Sequence, residues 1–181
     1  MEVFVVLLVL VLLFASCGLV YVIFYNLLQG TKIKTHGAEV IIDEALRDKY
    51  DLIIRGINAI KADIKINDDY FKEVENLTKI KLSNFDLDRK LAEAINFILK
   101  LINDYAQLNG NKELNEVLKE IKMVDEKLEA GKSFYNKYTE ELNALVKKFP
   151  SNIVSRLHGF KTKFYFDGKN LEDEITKDFK L

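Results

Sequence analysis

Between Glu2 and Lys32 the chain carries no charged residue, and no other feature limits its fold so strongly. Within this gap, Val3 to Phe24 is a run of 22 residues, 17 of them Val, Leu, Ile or Phe. A helix of that length rises about 33 Å, against a bilayer hydrocarbon core of about 30 Å. Moving those side chains into lipid at about −0.3 to −0.6 kcal/mol each gives at most roughly −5 to −10 kcal/mol. Tyr21 and Tyr25 stand at the C-terminal end, where amphipathic rings favour the headgroup layer. Residues 3–24 are therefore read as a single-pass membrane anchor in contact with the lipid bilayer. A cleaved signal peptide would have a basic leader and an apolar core of about 7–15 residues; here no Lys or Arg precedes the run, and it is longer. Phe14-Ala15-Ser16-Cys17 loosely matches a lipobox, in which Cys17 would be acylated, but the residues from Gly18 to Phe24 stay apolar. Lys32 and Lys34 follow the span while nothing basic precedes it, which places the remainder of the chain on the cytoplasmic side of the cell membrane.

From Lys32 onward the composition changes. All 27 basic residues lie there, with 27 of the 28 acidic ones, since only Glu2 precedes the gap. That balance gives no cationic footprint for nucleic acid, which needs a Lys/Arg surplus to release counterions. Cys17 is the single cysteine, so neither a disulfide framework nor a zinc site can be built from cysteines.

The polar part reads as helices, because proline is absent before Pro150 and apolar residues recur every three or four positions. One long segment runs from His36 to Ile66, with Ile42, Leu46, Tyr50, Ile53, Ile57, Ile60 and Ile64 on a stripe, ending at Asn67-Asp68-Asp69. A shorter helix follows over 69–81. A second long one runs from Asp86 to Leu108, with Leu87, Leu91, Ile95, Ile98, Ile102, Tyr105 and Leu108 inward, and stops at the left-handed-prone Asn109-Gly110. A third covers 112–149. Its stripe of Ile121, Val124, Leu128, Gly131, Tyr135, Tyr138, Leu142, Leu145 and Phe149 alternates spacings of three and four, as in a coiled-coil seam, and Gly131 marks a close neighbour. Pro150 ends it, Ser151 caps a short helix and Gly159 closes that helix. Each stripe needs a partner, and an antiparallel helical bundle supplies one. The expected organisation is an anchor over 1–25, an all-α bundle over 26–160 and a tail over 161–181, partly extended and frayed.

These pieces resemble the LemA family of small bacterial membrane proteins. The resemblance rests on Tyr25-Asn26, then Ala38, Ile42, Asp43, Leu46 and Arg47-Asp48-Lys49-Tyr50-Asp51-Leu52-Ile53; on Tyr105 to Asn111; and on Phe134-Tyr135-Asn136, Asn143, Phe149-Pro150-Ser151-Asn152 and Gly159-Phe160. It covers residues 20 to 166. The chain departs from the family pattern at Ile54-Arg55-Gly56, Ala106, Val124-Asp125 and Gly131-Lys132. The resemblance implies an N-terminal transmembrane helix and an all-helical antiparallel bundle, with no established enzymatic activity.

Sites for chemistry are sparse. His36 and His158 have no second His or Cys at helical spacing, so a zinc site is unsupported. Asp63 to Asp68 lacks the glycine of a calcium loop and puts Lys65 at a ligand position. The carboxylate pairs Asp68-Asp69, Glu140-Glu141 and Glu172-Asp173-Glu174 are adjacent in sequence, so their side chains do not face one another on a helix. Nucleotide and nucleophile-elbow motifs are absent, and Ser133 has no nearby His. No catalytic, cofactor-binding or metal site is therefore assigned, and the chain is read as a non-enzyme. Tyr135-Asn136 and Arg47/Asp51 are expected to fix helix register through hydrogen bonds in the core. The function expected is a non-catalytic interaction or scaffold module contacting other membrane-associated proteins. The alternative is a tethered sensor that takes a small ligand or lipid between its helices.

Overall fold

The computed structural model describes residues 1–66 and 69–167. Asn67 and Asp68, with the end and cap chemistry expected of them, lie outside the described residues, as do Glu172-Asp173-Glu174 and the frayed end of the tail. The architecture is all-α, with no strand among the described residues. It comprises α1 (Glu2–Asp63), α2 (Asp69–Glu75), α3 (Asn84–Asp104), α4 (Lys112–Lys147) and α5 (Ser151–Leu157). Short 3₁₀ turns follow α2 at Leu77–Lys79 and α3 at Ala106–Gly110.

The span at 3–24 and the helix expected from His36 belong to one element, because α1 runs unbroken from Glu2 to Asp63. The change in composition near Lys32 alters what the helix touches and leaves its backbone unchanged. Gly30 and Gly37 fall in this stretch, but each costs a helix interior only about 1 kcal/mol, and proline is missing. Thr35 satisfies its buried hydroxyl by donating to the Thr31 carbonyl at 2.9 Å.

The chain divides into two compact units. One takes Met1–Gly37 and Tyr135–Tyr165, the other Ala38–Phe134 with Phe166. In the first, Leu28, Leu142 and Val154 form a buried cluster, with Phe24, Tyr25, Leu145, Val146 and Phe160 packed on it. In the second, Ile42, Leu46, Ile53, Ile57 and Ile60 of α1 are buried with Leu91 and Ile98 of α3 and Leu114, Val117, Ile121 and Leu128 of α4.

Contacts in the second unit set the helix directions. Along α1, Ile42 lies by Gly131, Lys49 by Asp125, Arg55 by Glu120 and Asp63 by Asn111, so α4 runs antiparallel to α1. Asp43 meets Asn84, Lys49 meets Asp88 and Gly56 approaches Ile98, so α3 runs parallel to α1. The segment holding α2 carries the chain back between them.

Several termini differ from expectation. Ser83 caps α3 by accepting from the Asp86 N–H, and the helix ends at Asp104, four residues before Leu108. Its inner face turns slightly, burying Ala94 and Leu101 while Ile95 and Ile102 stay half-buried and Tyr105 is exposed. Gly110 closes a 3₁₀ turn without a left-handed backbone, which occurs only at Gly159 (φ 66°) among the described residues. Ser151 lies inside α5 and its hydroxyl donates to the Lys148 carbonyl, so Pro150 takes the cap position instead. Phe149, expected on the α4 stripe, is 79% exposed.

Gly131 behaves as its place on the stripe predicts. A Cβ there would stand 3.2 Å from Ile41 Cγ2 and Ile42 Cγ1, so a side chain would push these neighbours back by a few tenths of an ångström. A Cβ at Gly37 would meet nothing within 4 Å. Denaturant unfolding in mild detergent should separate the two positions: Gly131→Leu should lose about 2 kcal/mol through overpacking, and Gly37→Ala should gain about 0.5–1 kcal/mol through helix propensity.

Candidate functional site

A chain of charged groups lies among α1, α3 and α4 in the second unit. Lys49 sits one residue before the half-buried Tyr50 and is itself only 4% exposed. Its Nζ is 2.7 Å from Asp125 Oδ1 and 3.3 Å from Asp88 Oδ1. Asp88 also accepts from Lys132 at 2.6 Å, and Lys132 reaches Glu129 at 2.7 Å. A chain of alternating charge thus joins α4, α1, α3 and α4 again. The Phe166 ring lies under Lys132, 5.2 Å from its Nζ.

Burial works to lower the Lys132 pKa, but hydrogen bonds to Asp88 and Glu129 outweigh it and hold the ammonium above its ordinary value. Each cation in the chain faces carboxylates. Such pairs act through position, fixing the register of three helices as a purely apolar seam could not. Further out, Arg55 makes a two-point pair with Glu120 at 2.9 and 3.2 Å, and its pKa is raised by that hydrogen bond first. Lys90 is raised in the same way by Glu73.

Residues expected to fix register separate into two groups. Arg47 and Asp51 stay exposed at the rim of a crevice with Tyr50, Leu77, Leu82 and Leu87. The core role falls to Lys49 instead. Tyr135 does fasten structure, in the first unit, by donating to the Phe164 carbonyl at 3.0 Å. Asn143, 4% exposed, goes further: its amide donates to the Lys163 carbonyl and its oxygen accepts the Lys163 N–H, both at 2.8 Å. One side chain therefore holds both the N–H and the carbonyl of the same residue.

The remaining candidates are dispersed. His36 is exposed on α1, and Glu140 and Glu141 are exposed on α4. His158 ends α5 and shares a 2.5 Å hydrogen bond with the Tyr21 hydroxyl, with its ring 4.7 Å from that of Tyr25. Cys17 is exposed. Among the described residues, no three His, Cys, Asp or Glu side chains gather as metal ligands.

Removing one member of the buried pair should be costly. Lys49→Met takes the cation from Asp125 and one of two from Asp88; because Lys132 still pairs with Asp88 and Asp125 is 42% exposed, the loss should be about 2–3 kcal/mol, below the usual buried-pair range. Denaturant unfolding checks this. Because the folded-state pKa of Lys132 is raised, its contribution is complete below the ordinary value of 10.5 and fades as pH climbs through the folded value. The stability gap between the native chain and Lys132→Met should be constant near neutrality and should close in strong alkali.

The comparisons agree with this architecture. A model of the LemA family matches residues 38–179, and no curated protein or solved structure matches the chain. The match begins at Ala38, so Tyr25 and Asn26 lie outside it. With most of its length covered, including α2, α3, α4, the charged chain around Lys49 and the Asn143 clamp, the protein belongs to the LemA family.

Proposed function

We propose that this LemA-family protein is a membrane-anchored, non-catalytic interaction module, held in the bacterial cell membrane by the first part of α1. The observation that carries the anchor is exposure. The N-terminal part of α1 contains a window of mean hydropathy 3.2, none of it buried within the chain. Left in water, this surface would be highly unfavourable; a bilayer covers it. The interaction role draws on the pairing of charges around Lys49, which spends the buried polar groups on helix register. It draws also on the benefit of tethering, which raises the local concentration of a weak binder near membrane partners. Lys32 and Lys34 favour a cytoplasmic bundle.

Full-length protein should remain with membranes through an alkaline carbonate wash. A Leu10→Arg/Leu12→Arg variant should be released, since each arginine at mid-span costs about 3 kcal/mol. Protease added to spheroplasts should spare the bundle; digestion from outside would reverse the orientation. Crosslinking in intact cells should recover a reproducible membrane-associated partner.

A further inference from the structure

Among the described residues, the outer face of α5 is largely uncovered, and its surroundings point to an occupant. Ile153 and Leu157, one turn apart on α5, are 52% and 71% exposed and share an apolar face, and Phe149, in the turn just before α5, is 79% exposed. Ser151, Val154 and Ser155, on the opposite face, are buried.

The level at which α5 sits decides the occupant. Pro150, Ile153 and Val154 face Cys17, Val20 and Phe24 of α1 across an open apolar crevice of about 320 Å³. His158 is held to Tyr21 and Tyr25 one or two turns further along. α5 therefore lies beside the last two turns of the apolar run. At 1.5 Å per residue, Cys17 to Phe24 is about 10 Å, so a bilayer that covers Val3 to Phe24 reaches the same level as this apolar face. Interfacial helices bury their apolar faces about 5–10 Å into the boundary between headgroups and acyl chains. Arg156 and Lys161 are exposed nearby, and Lys32 stands over the Phe160 ring, which supplies cations suited to headgroup phosphates.

We infer that α5 is a second membrane contact, with Phe149, Ile153 and Leu157 inserted among the acyl chains at the membrane surface beside the C-terminal end of the span. This rests on the anchor reading above and goes beyond it, because the lipid contact is then made by residues far along the chain as well as by the N-terminal helix.

The chain contains no tryptophan, so single substitutions give unambiguous reporters. Full-length Phe149→Trp, Ile153→Trp, Leu10→Trp and Met123→Trp would each be reconstituted into phosphatidylcholine vesicles containing phosphatidylglycerol. Their emission would be compared with and without lipid brominated near the headgroup end of the acyl chain and, for Leu10→Trp, lipid brominated near the bilayer centre. Phe149→Trp and Ile153→Trp should show blue-shifted emission that the bromolipid quenches, while Met123→Trp, exposed on α4, should stay red-shifted and unquenched. Quenching of Leu10→Trp without quenching at 149 or 153 overturns the α5 contact and leaves the anchor standing. Blue-shifted but unquenched emission at 149 and 153 reports burial against protein, such as a second copy, and overturns it equally. An unquenched Leu10→Trp removes the anchor, and the α5 contact falls with it.

Discussion

α1 and α4 run antiparallel at close range, and the second unit is organised around that seam. Gly131 gives up a side chain so that Ile41 and Ile42 can approach, and further along Gly56 admits Val117 and Leu114 at 3.4 and 3.7 Å from where its Cβ would stand. Apolar stripes alone would tolerate sliding by a turn, since isoleucine and leucine are interchangeable at many heights. Lys49 removes that freedom. An ammonium buried between Asp88 and Asp125 has few acceptable positions, and a one-turn slip would separate it from both carboxylates at once.

Much of the helical pattern was legible in the sequence. The α1 stripe from Ile42 to Ile64 is buried except for the half-buried Tyr50, and Gly131 sits against a neighbour as its place on the α4 stripe implied. Periodicity works here because each helix buries one side, and burial follows the turn of the helix. Termini were less legible: α3 stops at Asp104 and Asn109-Gly110 takes a 3₁₀ turn, since either backbone suits those residues and tertiary packing decides. Separating the span at 3–24 from a helix that begins at His36 rests on composition, and composition reports the solvent around a helix more faithfully than its ends.

The charged chain was missed for a different reason. A lysine between Asp48 and Tyr50, on a helix rich in charge, has the local signature of a solvated residue, and its partners are far along the chain on other helices. One clue was present. Asp125, Gly131 and Lys132 are positions at which the sequence departs from the family pattern, and all three lie in or beside this seam. Arg55 and Gly56, in another departure, also face α4.

The Asn143 clamp carries a consequence for the segment it holds. Because both of its hydrogen bonds go to the main chain of Lys163, the recognition is blind to side-chain identity there. The two clamp bonds therefore select no particular side chain at position 163, while proline, lacking the N–H, would break one of them.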